Sequence, residues 1–229
     1  MGMTMTETTA SIRQLKEKLT NLFSMGNPQE ALAAICRMPP RKAVNALFPF
    51  FYSREPLFFW QAITAMGAVV SLLTAENMES ARVVMRRLMW NMNDESGGIG
   101  WGSAQAMGEI MARSERMADE YAHVLISYID PCGNYIDNPA LQQGILWALG
   151  RMAHDRPRQM GSASELLIPF LSSIDPVLRG LAARAAAALP DNATKPLLLA
   201  LCSDNETISL YLDGTLCERT IGSLAQPHP

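Results

Sequence analysis

The sequence predicts an all-α fold, a right-handed α-solenoid of about five helix pairs preceded by N-terminal capping helices. Three observations predict it. A small-residue motif recurs along the chain at nearly constant spacing, an amphipathic helical segment precedes each copy, and helix-start signals fall between them. No sustained period-2 alternation is read, so no sheet is expected.

The elements follow in order. Ser11 to Phe23 places Ile12, Leu15, Leu19, Leu22 and Phe23 on one helical face, with Arg13, Lys16 and Lys18 largely off it. Gly26 stops this helix in a left-handed conformation. Asn27-Pro28-Gln29-Glu30 starts the next, with Asn27 as cap, Pro28 at the first helical position and Glu30 completing a capping box. Pro39-Pro40 ends it, because neither proline can donate to the helical ladder. Residues 1–38 are therefore assigned to a tail and capping helices, 39–225 to a repeat array and 226–229 to a C-terminal tail, all in one continuous domain.

The repeats begin with Trp60-Gln-Ala-Ile-Thr-Ala-Met-Gly67, which aligns with Trp101-Gly-Ser-Ala-Gln-Ala-Met-Gly108 at a spacing of 41 residues. Gln143 to Gly150 is a third copy, Leu178 to Ala186 a fourth and Leu216 to Gly222 a fifth. First helices are expected at about Lys42–Phe51, Glu79–Asn91, Ala118–Ile129, Ser164–Ser173 and Lys195–Cys202. Asn138-Pro139 and Asp175-Pro176 each place a capping side chain before a proline at a second-helix start. The recurring Ala and Gly have a packing reason: small side chains let neighbouring helices approach closely.

Asp175-Pro-Val-Leu-Arg179-Gly-Leu-Ala-Ala-Arg-Ala-Ala-Ala-Ala-Leu189 resembles the second helix of a HEAT-type repeat, in which an Asp caps, a Leu-Arg pair follows and alanines pack. The resemblance covers about Arg41 to Leu224 and is strongest in the later repeats; earlier copies keep little more than Ala-x-Gly. Asn93-Asp-Glu-Ser-Gly-Gly-Ile-Gly-Trp-Gly102 also resembles a string in bacterial HEAT-like proteins, a resemblance that implies no activity. HEAT-like arrays typically serve as binding scaffolds, and some have enzymatic or cofactor-attachment roles, so the fold alone does not decide.

Bulk properties narrow the classes. At 229 residues, 48% apolar and 18% charged, the chain can bury a substantial core. A net charge of -3 gives no global pull toward nucleic acid or anionic membrane. Cys36, Cys132, Cys202 and Cys217 are far apart and form no Cys-x-x-Cys, and the histidines form no i, i+4 pair; free buried thiols in a cytoplasm are expected, with no metal and no cofactor. Leu57 to Ala75 is an uncharged run long enough to span a bilayer. Its Gln61, Thr64, Ser71 and Thr74, its acidic flanks and its match to a charged repeat favour a buried helix and no membrane. The six-residue myristoylation pattern at Met1 to Thr6 is discounted as too short.

One segment occurs once. Asp94 and Glu95 lie just past a predicted helix end, where carboxylates oppose the helix dipole by about 0.3–1 kcal/mol when exposed, and Gly97, Gly98, Gly100 and Gly102 follow. On one reading the carboxylates accept amide hydrogens of the next helix and the glycines permit the turn. On the other the loop binds a cation, a metal or a partner, through Asp94, Glu95, Ser96, Gly98, Gly100, Trp101 and Glu109. Gly98-Ile-Gly100-Trp-Gly102 is no phosphate cradle, lacking both a following Lys-Ser/Thr and a preceding strand. Arg151, Arg179, Arg184 and Arg219 fall on predicted second helices, which commonly line the concave face, and HEAT-type arginines often pair with acids of adjacent repeats.

Trp60, Trp90, Trp101 and Trp147 raise the question of an aromatic pocket like that of HEAT-like DNA glycosylases; equivalent repeat positions for Trp60 and Trp101 favour core packing. His123 and His154 have no visible nucleophile partner. The functional expectation is a non-catalytic, cytoplasmic protein-binding scaffold that uses its concave face and the Asp94–Gly102 loop. The alternatives are DNA-base excision and a lyase-like modification of a cofactor-bearing protein.

Overall fold

The computed structural model describes residues 12–93, 100–161, 163–189 and 191–226. Two capping helices, α1 (Ile12–Phe23) and α2 (Pro28–Cys36), open the chain. Gly26 between them has φ +73°, and Asn27 Oδ1 accepts from Glu30 N at 3.2 Å, so both local signals act as the sequence indicates. Four helix pairs follow. They are α3 (Pro40–Leu47, extended by a 3-10 segment Phe48–Tyr52) with α4 (Pro56–Glu76), α5 (Met78–Met92) with α6 (Ser103–Arg113), α7 (Glu115–Ser127) with α8 (Pro139–Asp155), and α9 (Ala163–Leu171) with α10 (Pro176–Ala187). Asn138 and Asp175 cap α8 and α10 through their side-chain oxygens.

The second helices stack in a row, α4 on α6, α6 on α8 and α8 on α10. The glycine of each repeat sits where the next second helix crosses. A Cβ on Gly108 would fall 2.5 Å from Cβ of Ala148, so backbone approach is what that glycine permits. At the other two positions the vacated space holds a charged side chain. A Cβ on Gly67 would lie 2.5 Å from Cγ of Glu109, and one on Gly150 would lie 2.8 Å from Nη1 of Arg184. The repeat motif thus admits buried charged side chains as well as a packing contact.

Helix α4 contacts α2, α3, α5 and α6, which explains its uncharged run: few of its positions meet water. It is long and apolar enough to cross a membrane, and more than half of its most apolar window is buried within the protein. Polar ties connect successive repeats on the outer layer. Arg82 of α5 donates to both oxygens of Glu120 of α7 at 2.8 and 2.6 Å, and Arg87 lies 3.7 Å over the Phe48 ring.

The fifth repeat departs from expectation. Its first helix, α11 (Lys195–Leu201), forms, but Leu216 to Gly222 is not a second helix. Strands β1 (Thr207–Leu212) and β2 (Thr215–Thr220) pair antiparallel, and a single turn, α12 (Ile221–Leu224), follows. The Asp213-Gly214 dipeptide closes the hairpin with φ +49° and +87°, the positive values a two-residue type I′ turn requires. The rest of the array is helical as expected, and the departure is confined to this second helix. The hairpin folds back over the fourth pair, seating Ile208 against Gly180 of α10. The four cysteines are free, but Cys132 and Cys202 are exposed, not buried as expected.

Candidate functional site

The predicted site residues separate into two places. Asp94, Glu95, Ser96 and Gly98 lie outside the described residues. Beside them, a Cβ on Gly100 would fall 2.6 Å from the Asn91 carbonyl oxygen, and one on Gly102, at φ +72°, would fall 2.8 Å from the Phe51 ring. These two glycines are therefore accounted for by close packing and a left-handed turn into α6. Trp101 is 40% exposed and Trp90 77% exposed. Glu109 does not face this edge. It lies two turns further along α6, on the inner side of the second-helix row.

There it joins a cavity of about 750 Å³. Its wall is the second-helix row, contributing Gln61 and Thr64 (α4), Glu109 and Arg113 (α6), Arg151 and His154 (α8), and Arg184 (α10). Phe23, Leu32 and Ile35 of the capping helices close one side, and Tyr211 to Gly214 of the hairpin close another. The hairpin tip reaches the N-terminal region, where a Cβ on Gly214 would lie 3.8 Å from Cβ of Pro28. Both ends of the array therefore meet over its inner face.

The charges inside are only partly matched. Glu109 is buried, and its oxygens accept from Arg113 Nε at 2.9 Å and Arg151 Nε at 2.7 Å. Arg151 also pairs with Asp155. Arg184 is 5% exposed, and among the described residues it takes part in no ion pair; its Nη1 has no hydrogen-bond partner. Burial, reinforced by the nearby Arg151 charge, pushes its guanidinium down to about 10. Gln61 Oε1 is a second buried polar atom without a partner, and Gln61 lines the same cavity.

Of the four candidate arginines, Arg151, Arg184 and Arg219 line this cavity. Arg179 does not. It donates to Asp204 Oδ2 at 2.9 Å, the Ser173 carbonyl at 2.7 Å and Glu206 at 3.2 Å, stapling α10 to the loop before the hairpin. Arg151 ties α8 to Glu109 of α6 and Arg179 ties α10 to Asp204 and Glu206, whereas Arg184 makes no such tie.

Two engineered proteins with crystal structures from the Northeast Structural Genomics Consortium share the architecture. One is 18% identical, covering 83% of this chain and 90% of its own length at a TM-score of 0.50. The other is 16% identical, covering 83% and 92% at 0.50. The fold is a helical-repeat solenoid. No protein-family model matches the chain, and no curated protein matches it.

Within this solenoid the hairpin acts as a wall. Tyr211 stacks on Trp60 with centroids 5.0 Å apart and planes 4° apart, and Trp147 lies 4.6 Å from Trp60. Trp147 Nε1 donates to the Tyr211 carbonyl at 3.3 Å, and the Tyr211 hydroxyl meets Thr64 Oγ1 at 3.4 Å. Burial raises the Tyr211 hydroxyl above its ordinary range, opposed by the Thr64 contact. Trp60 and Trp147 are brought together, while Trp101 stands apart from both at the other edge. Tyr211, Arg113, Gln61 and Asp213 were not singled out by sequence. The Asp-Gly turn signal at 213–214 marks the hairpin; nothing local marks Gln61 or Arg113, whose places depend on how successive repeats stack.

Chemically, the cavity offers fixed cations, an amide and apolar walls. Among the described residues no cluster of three or more His, Cys, Asp or Glu is placed to hold a metal. The Glu109 carboxylate, committed to two arginines, has both oxygens occupied. Such a setting is chemically suited to an anionic or polar group on an apolar body.

Proposed function

We propose that this chain is a non-catalytic HEAT-like binding scaffold, cytoplasmic, whose recognition site is the inner cavity and whose partner is a protein that inserts a short segment there. One observation carries the reading: Arg184, a buried guanidinium without an ion-pair partner, lines an open volume of about 750 Å³ that successive repeats build. A monomer gains nothing from burying a charge on which the Asp213 and Glu109 carboxylates act only at a distance, so a site completed by another molecule accounts for it. The cavity is preferred to the edge at Trp101 because Gly100 and Gly102, the described glycines there, have packing reasons of their own. Binding is preferred to base excision because the rings that would flank an extruded base, Trp60, Trp147 and Tyr211, are packed on one another.

A photo-crosslinking amino acid at Leu32, which lines the cavity, is expected to give a discrete protein adduct in cells. The same group at Arg86, on the outer layer, is expected to give none. Mass spectrometry of the adduct identifies the inserted segment. Equal adducts from both positions, or none from Leu32, refute the reading.

A further inference from the structure

The cavity contains more positive than negative side chains. Arg113, Arg151, Arg184 and Arg219 line it with three carboxylates, those of Glu109, Asp155 and Asp213. Glu109 and Asp155 are taken up by Arg113 and Arg151. That leaves Arg184, deep in the cavity, on which the Asp213 carboxylate at the turn acts without forming an ion pair, and Arg219, exposed on β2 opposite Ile208. With histidine counted as neutral, one positive charge is unanswered. The walls beyond the charged groups are apolar, with Phe23, Leu32, Ile35, Trp147 and Leu224.

We infer that the group recognised is a single carboxylate carried on an apolar stem, with the Arg184 guanidinium as its binding partner and Gln61 as a second polar contact. The inference rests on the reading of the cavity as the recognition site and deepens it. A carboxylate matches the planar fork of a guanidinium and presents one charge to one unanswered charge. A dianion would overfill the balance. The Gln61 amide lines the same cavity, and its NH2 end is the donor that a carboxylate can use. Volume and lining favour a stem of a few apolar residues or an alkyl chain of similar size. The carboxylate has two sources, the free C-terminus of an apolar peptide segment or a small apolar acid.

The test is titration of the whole protein by calorimetry and tryptophan fluorescence, Trp147 being a wall of the cavity. The probes are N-acetyl-Leu-Leu-Phe as its free acid and as its amide, decanoate, decanol and inorganic phosphate. The acids are expected to bind at least about tenfold tighter than the neutral counterparts. That preference is expected to vanish in Arg184→Met and to be reduced in Arg184→Lys, which keeps the charge without the fork. A preference shown by the peptide pair assigns the source to a chain terminus, and one confined to decanoate assigns it to a small acid. Equal binding of acid and amide, unchanged acid preference in Arg184→Met, or tighter binding of phosphate overturns the carboxylate while leaving the cavity as a binding site. Absence of saturable binding by every probe at millimolar concentration overturns both.

Discussion

Replacing Arg184 by methionine should stabilise the ligand-free protein, although the residue is buried and fills space. The guanidinium is held near 10 instead of its ordinary 12.5, which corresponds to roughly 3 kcal/mol of destabilisation of the charged form at 1.36 kcal/mol per unit. Methionine keeps the aliphatic stem and removes the charge, together with the guanidinium atoms that lie against Gly150. Some contact is lost, so a net gain of about 1–3 kcal/mol is expected. For a chain of this length that raises Tm by about 2–10 °C. Calorimetry and urea unfolding in chloride buffer, with no carboxylate or phosphate present, measure it. A loss of more than about 1 kcal/mol would show that Arg184 is satisfied within the fold and would remove the physical reason for a ligand.

Gly67→Ala should destabilise by about 1–3 kcal/mol, because the added methyl meets Glu109 Cγ, and this outweighs the roughly 1 kcal/mol that alanine gains over glycine in a helix; thermal melting checks it. Tyr211→Ala removes the stack on Trp60 and should cost about 3–5 kcal/mol, with a change in tryptophan emission as the hairpin wall opens. Asp204 is partly desolvated, which pushes its carboxyl up, but its hydrogen bonds from Glu206 N and Arg179 prevail and hold it below the ordinary range. Its contribution is therefore present above the ordinary carboxylate range and lost as pH falls through the depressed value. The stability difference between the wild type and Asp204→Asn should hold steady near neutrality and shrink below about pH 4; urea midpoints across pH measure this.

Much of the array can be read from the sequence because local chemistry and repetition agree. Gly26, Asn27, Asn138 and Asp175 place helix boundaries through their own backbone or side chains, and Ala-x-Gly marks each crossing of the inner row. The C-terminal hairpin is hidden by the periodicity, because Leu216 to Gly222 falls at the repeat spacing. Yet Thr207-Ile-Ser-Leu-Tyr-Leu with Asp213-Gly214 carries the composition and turn of a hairpin. The cavity was less legible for a different reason. Glu109 and Arg151 each follow the repeat glycine and are paired with one another, whereas Arg184, at a different place in its repeat, is unpaired. That difference depends on which neighbour each glycine admits and on a hairpin wall that periodicity does not predict. Arg179, in the most HEAT-like stretch, proves to be a staple to Asp204 and Glu206 instead of a cavity residue.

The enclosure of the inner face, where the hairpin tip meets α2, is tested most directly by a disulfide. With Cys36, Cys132, Cys202 and Cys217 replaced by serine, Pro28→Cys and Gly214→Cys would place two Cβ atoms about 3.8 Å apart, the mean separation in a disulfide. Mild oxidation should then bridge them essentially completely, read as faster migration on a non-reducing gel and protection of both thiols from alkylation. Two thiols that stay fully alkylatable after oxidation would contradict the closed cavity.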